Sequence, residues 1–206
     1  MRFSWALVQT IHEFYAQKGF QGKASIIFPG QGVIDPFNLI ATTERGMESE
    51  GAQELRQLLE FLGESRPIVK RTSVRGLLTA QVKVDAARVV ERARYALRKD
   101  PWKLTYIKRI LPVERVVDTD LEKIAEAVKP LFERIEEGET YRITVEKRRS
   151  QLSHREVIEH LAKLVPRKVN LTQPNWVVLV EIIGQRTAVS VLQPSQIFNV
   201  HTLYEA

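Results

Sequence analysis

The eight residues WVVLVEII, positions 176–183, constrain the fold more than any other stretch of this chain. A strand with one face in water alternates apolar and polar side chains, and this one breaks its apolar run only at Glu181. Such a run marks a central strand covered on both faces, so the sheet that holds it needs a layer on each side. Gly184-Gln185 interrupts the run and RTAVSVL follows, which reads as a hairpin turning at that dipeptide. No apolar stretch in the 206 residues approaches the ~20 needed to span a bilayer.

The pattern upstream is equally regular. FNLIATT (37–43) reads as a strand, and ESEGAQELRQLLEFL (48–62) sets Ala52, Leu55, Leu58, Leu59 and Leu62 on one helical face before Gly63. RPIVKRT and GLLTAQVKV read as two strands joined at SVR. Asp85 then caps a helix over AARVVERARYALRK, and LTYIKRILPV (104–113) closes the set as a strand. The order β-α-β-β-α-β is the ferredoxin-like arrangement. The expected architecture is therefore α+β, with a ferredoxin-like domain over residues 35–116 and a second α/β domain over 117–206. Residues 1–34 form an amphipathic helix (4–18) and a Gly/Pro-rich linker. Gly30-Gln31-Gly32 within that linker lacks the further glycine and the lysine of phosphate-binding loops and reads as a turn.

In the second domain, Thr119-x-x-Glu122 is a capping box that opens a helix running to Ile135, kinked at Pro130. YRITVE (141–146) is a strand, and Ser153-x-x-Glu156 is a second capping box. The helix it opens buries Val157, Ile158, Leu161, Ala162 and Val165. Between strand and helix stand Lys147, Arg148 and Arg149. Cations at a helix N-terminus are repelled by its dipole, by a few tenths to about 1 kcal/mol each. The arrangement makes sense if an external anion arrives, because the free N–H groups and the guanidinium forks then converge on it. Phosphate of a nucleic acid is the natural candidate. The bland alternative is that these arginines only solubilise the loop.

Charge distribution agrees. The net charge is +6, but residues 66–115 hold fourteen basic against four acidic side chains, while 35–65 hold two against seven and 116–138 three against seven. One basic side on a folded protein fits this better than a cationic tail. Cysteine is absent, which excludes disulfides, a thiol nucleophile and thiolate metal sites and fits a reducing, cytoplasmic setting. The first residues carry His12 and Glu13 within the apolar pattern and lack a small-residue cleavage site, so no signal peptide is expected.

EKRRSQLSHREVIEHLAKLV followed by KVNLTQPNWVVLVEII resembles the THUMP domain, an RNA-binding module of thiouridine synthases, RNA methylases and pseudouridine synthases. The basic run before the helix, the Val169-Asn170-Leu171 to Pro174 turn and the Val180-Glu181-Ile182 strand carry the likeness. Asn170, Gln173 and Asn175 depart from the commoner residues of that turn. Residues 37–200 are covered, and a ferredoxin-like domain typically precedes the THUMP core in this family. RILPVERV (109–116) leading into the acidic helix looks like the stand-alone THUMP proteins that assist tRNA cytidine N4-acetylation. The resemblance implies binding of tRNA at its acceptor stem and 3′ end.

Catalytic machinery is not expected. The chain has no P-loop, no nucleotide-binding Ser-Gly-Gly loop and no Gly-rich turn with a partner acid for a methyl donor. His154 and His160 lie six apart on roughly opposite helix faces, the wrong spacing for metal ligation, and His12 and His201 lie far away in sequence. The expectation is a non-catalytic tRNA-binding adaptor, without cofactor or metal, that presents tRNA to an RNA cytidine acetyltransferase. Lys147, Arg148, Arg149 and Arg155 would contact phosphate, with Arg142, Lys108 and Arg109 in support. The alternatives are the RNA-binding part of a tRNA methyltransferase or thiolation enzyme, and a protein-interaction module that docks through Trp5, Leu7, Phe14 and Tyr15.

Overall fold

In a computed structural model the chain is described over residues 37–99 and 104–200. The expected helix over 4–18, its docking residues Trp5, Leu7, Phe14 and Tyr15, the Gly30-Gln31-Gly32 turn, His12 and His201 lie outside the described residues. Two compact units are present: one comprises the described residues up to Ile110 together with 198–200, and the other Leu111–Ile197. Each holds one five-stranded sheet, and the described residues contain four α-helices, a mixed α/β architecture.

The first unit runs β1 (Leu39–Thr43), α1 (Glu48–Phe61), β2 (Ile68–Arg71), β3 (Leu77–Gln81), α2 (Ala86–Lys99) and β4 (Ile107–Pro112). Its sheet order is β10-β4-β1-β3-β2, where β10 (Phe198–Asn199) pairs antiparallel with β4 through Phe198↔Ile110. The apolar stripes of α1 (Leu55, Leu58, Leu59) and α2 (Val89, Val90, Ala93, Leu97) meet Leu39, Ala41, Leu78 and Ala80 in one core. Gly63, at φ +98, ends α1: its N–H donates to the Glu60 carbonyl at 3.0 Å while the Glu64 N–H reaches the Leu59 carbonyl at 3.0 Å. Asp85 Oδ1 caps α2 as expected, accepting from the Ala87 N–H at 2.9 Å.

The strand expected over 104–113 starts late. The Thr105, Tyr106 and Ile107 N–H groups donate to the buried Glu54 carboxylate of α1 at 2.7, 2.9 and 2.7 Å, which holds 105–106 outside the strand. At the β2–β3 loop, Gly76 has φ +72, and a Cβ there would lie 2.8 Å from the Thr43 carbonyl oxygen. Gly76→Ala is therefore expected to cost about 2 kcal/mol or more, read as a lowered urea midpoint, because left-handed backbone alone costs a residue with a Cβ about 1–2 kcal/mol.

The second unit runs β5 (Arg115–Asp118), α3 (Leu121–Val128), a 3-10 turn (Lys129–Arg134), β6 (Thr140–Arg148), α4 (His154–Ala162), β7 (Lys168–Val169), β8 (Trp176–Ile183) and β9 (Arg186–Leu192). Sheet order is β5-β9-β8-β6-β7, with β8 central and its interior fully buried, as its apolar run requires. β6 and β8 are parallel, and β9 is antiparallel to β8 across the Gly184-Gln185 turn. Tyr141 and Val145 of β6 pack with Val157 and Leu161 of α4 and with Val178, Val180 and Ile182 of β8.

Several expectations need correction. Strand β5 was not evident in the sequence; it carries the chain extended to Asp118, and the N-cap becomes Asp120, which accepts from the Lys123 N–H at 3.0 Å. Thr119, expected as the cap, hydrogen-bonds Thr187 across to β9 at 2.9 Å instead. The helix is not merely kinked at Pro130: α3 ends at Val128 and the chain tightens into the 3-10 turn, since proline supplies no N–H to continue the α pattern. Ile158, expected in the core, sits at the edge of the buried face and is exposed. The break between units falls near Leu111 rather than after 116, and residues 198–200 return to the first unit because β10 pairs with β4.

Candidate nucleic-acid interface

Parallel pairing of β6 with β8 brings their C-terminal ends together, with Arg148 opposite Ile183. The segments leaving those ends are the β6–α4 loop and the β8–β9 turn, and the Gly184 N–H donates to the Arg148 carbonyl at 2.8 Å. Ligand sites in sheets of parallel strands form at such carboxyl ends. An open groove of about 710 Å3 lies here, lined by Asp118, Thr119, Arg149, Ser150, Gln151, Leu152, Glu156, Gly184 and Gln185.

Strand alternation separates the three cations that the sequence places side by side. β6 extends through Arg148, so Lys147 and Arg148 are strand residues and only Arg149 belongs to the loop. Lys147 donates from Nζ to the Leu152 carbonyl at 2.9 Å, tying the loop to the strand. Arg148 points to the opposite face, where its Nη1 lies 2.6 Å from Oε2 of Glu181, a carboxylate that is 1% exposed. Arg149 has φ +57, is exposed, lines the groove and has no hydrogen-bond or ion-pair partner among the described residues. A non-glycine residue in left-handed backbone persists only where its surroundings over-determine it.

Ser153 caps α4 beside the groove. Its hydroxyl accepts from the Glu156 N–H at 3.0 Å, and the Glu156 carboxylate reaches back to the Ser153 N–H at 3.5 Å, the reciprocal box that the sequence indicates. The acids at the groove are committed elsewhere. Asp118 bonds Lys123 Nζ at 2.7 Å and also contacts Arg186, and the Lys123 bond, then the two cationic charges, hold its carboxyl below the usual carboxylate range. The contribution of this ion pair to folding is therefore complete above the ordinary carboxylate range and is lost progressively as the pH falls from there through the depressed value.

The other expected contacts scatter. Arg155, on the first turn of α4 and 86% exposed, pairs with Glu159 at 2.6 Å, and that contact raises the arginine's pKa. So exposed a pair is worth little and can be exchanged for phosphate. Arg142 sits near the start of β6, six residues and about 20 Å of strand before Arg148. Its Nη1 reaches the Leu171 carbonyl at 3.3 Å. Lys108 and Arg109 lie on β4 of the first unit, where Lys108 pairs with Glu44 at 2.9 Å. Gln151 and Gln185 were missed in the sequence, although pairing the ends of the two parallel strands would have placed both beside Arg149. Among the described residues no group of three His, Cys, Asp or Glu side chains is placed to hold a metal ion. None of their helices is long and apolar enough to cross a membrane.

Residues 118–192 match the family model of the THUMP domain. The chain carries a THUMP domain. Its boundaries run from the end of β5 to the end of β9, so the groove and α4 lie inside it. No curated protein matches the chain. Among solved structures it is similar to PH1313 from Pyrococcus horikoshii OT3, at 14% identity and a TM-score of 0.58, covering 77% of this chain and 55% of that one. It is also similar to TrmN from Thermus thermophilus, at 18% identity and a TM-score of 0.52, covering 76% and 46%. The chain thus spans about half the length of both, and at these identities the likeness is one of fold.

Proposed function

We propose that this protein binds tRNA through its THUMP domain, at the acceptor stem and 3′ end, and acts as a non-catalytic adaptor that presents the tRNA to a modifying enzyme. The observation that carries this reading is Arg149, an unpartnered cation held in left-handed backbone beside a capped helix N-terminus, in a groove whose acids are already paired. RNA duplexes are recognised mainly through phosphates, 2′-hydroxyls and shape, for which such a groove suffices without a base-reading code. Arg149 is the first phosphate contact, Arg155 the second after releasing Glu159, and Lys147 and Arg148 hold the loop. Arg142, Lys108 and Arg109 are outer contacts. The strand order β4-β1-β3-β2 supports a ferredoxin-like assignment for the first unit.

A cytidine N4-acetyltransferase is the proposed partner, on the strength of RILPVERV and the acidic helix that follows it, and a cytoplasmic setting fits the absence of cysteine. The competing reading is the RNA-binding part of a methyltransferase or thiolation enzyme, since this chain covers only about half of each of the two similar structures. Crosslinking to tRNA with mapping of the contacted nucleotides tests the first reading: contacts are expected on the acceptor stem and 3′ end, and contacts spread evenly over the tRNA would overturn it. Tight binding of S-adenosylmethionine or ATP by this chain would favour the competitor.

A further inference from the structure

Glu181 is an expensive residue in its place. It lies in the central strand β8, 1% exposed, between Val180 and Ile182 of the core, where an apolar side chain would pack without desolvating a charge. It also puts a carboxylate against Arg148, the neighbour of the residue proposed to receive a polyanion. The inference rests on the RNA-binding reading of that same groove and assigns a residue that the reading does not use.

We infer that Glu181 is a positioning residue: through its ion pair with Arg148 it fixes the end of β6 so that the next residue, Arg149, is presented into the groove. Three attachments converge on this point. The Arg148 guanidinium is held by Glu181 at 2.6 Å, the Arg148 carbonyl by the Gly184 N–H at 2.8 Å, and its Cα by register opposite Ile183. On the far side of Arg149, the Leu152 N–H donates to the Ser150 hydroxyl at 3.2 Å, and the Leu152 carbonyl accepts from Lys147 at 2.9 Å. The loop is pinned at both ends, which is the condition under which Arg149 stays at φ +57. Arg148 is both the neighbour of Arg149 and the residue that its side chain fastens to the sheet, so loosening the ion pair frees the backbone at the position where the left-handed conformation begins.

Charge and positioning make opposite demands on Glu181. If it acts only as a negative charge, neutralising it strengthens the binding of a polyanion. If it positions Arg149, neutralising it weakens binding although repulsion has been removed. The test uses an acceptor-stem RNA hairpin with a single-stranded 3′ end, titrated at several KCl concentrations with the unsubstituted chain, Arg149→Ala, Glu181→Gln and the double variant. All are held below melting temperatures measured beforehand. Glu181→Gln is expected to weaken binding about fivefold near 0.15 M salt and to lower the salt slope by about one, the loss of one phosphate contact. The double variant is expected to bind no more than twofold weaker than Arg149→Ala alone, because both substitutions remove the same contact. Binding by Glu181→Gln as tight as the unsubstituted chain or tighter, or losses that multiply in the double variant, would overturn the assignment. Absence of salt-dependent RNA binding by the unsubstituted chain would overturn the RNA reading itself, and the inference with it. Should Glu181→Gln melt too low, Arg148→Lys asks the same question: it keeps the charge and loses the fork. The same weakening, slope and non-additivity are expected of it, and unchanged binding overturns the assignment.

Discussion

Replacing Glu54 with alanine is expected to lower the stability of the first unit by about 4 kcal/mol, the largest effect of any single substitution considered for that unit. The carboxylate is 8% exposed and collects three backbone N–H groups, from Thr105, Tyr106 and Ile107. Charge-assisted hydrogen bonds are individually about twice as strong as neutral ones, and their removal also strands donors. The Ile107 N–H belongs to a fully buried residue and has no water to turn to. Glu54→Gln retains one acceptor oxygen but points an NH2 group at the remaining donors, so about half of the loss is expected to persist. Urea unfolding measures both. A Glu54→Ala chain with an unchanged midpoint would mean that β4 docks without the carboxylate.

Arg148→Ala is expected to cost about 3 kcal/mol, because it leaves the Glu181 carboxylate buried without this partner. Arg148 keeps 24% of its side-chain surface in contact with water, which places the loss at the lower end of the range for buried pairs. The discriminating companion is the double substitution Arg148→Met, Glu181→Leu. Exchanging a buried ion pair for apolar groups of similar size is often neutral, so this variant is expected to recover most of the lost stability. It is also expected to bind RNA no better than the single variants, since stability returns without the pin that presents Arg149. Recovery of both together would separate RNA binding from the ion pair.

How much of this could be read from the sequence differs between elements. Helices α1, α2 and α4 and strand β8 were legible because their apolar spacing and caps agree: Gly63, Asp85 and Ser153 each terminate or open a helix where the pattern stops or begins. β5 was not legible, since RVVD is four residues long with every side chain half-buried, too short for alternation to show. β10 is two residues long and owes its pairing to a strand nearly ninety positions earlier, a contact that local pattern does not encode.

At the candidate site, the cluster Lys147-Arg148-Arg149 was visible but its meaning was not. Treating it as a loop hid the two-residue period of β6, which sends Lys147 and Arg148 to opposite faces and leaves Arg149 alone in the groove. Glu181, read as the one blemish in an apolar strand, is the partner that explains Arg148. The pairing needs the β6–β8 register, and the sequence alone does not supply it.

The most direct test of the central claim is the salt dependence of tRNA binding by the unsubstituted chain compared with Arg149→Ala. The account expects log K to fall linearly with log salt for both, with a slope about one unit shallower for Arg149→Ala and stability left within about 0.5 kcal/mol of the unsubstituted chain. An Arg149→Ala chain with the same affinity and the same slope would contradict it, because the groove at the head of α4 would then make no phosphate contact through the side chain that the fold holds open there.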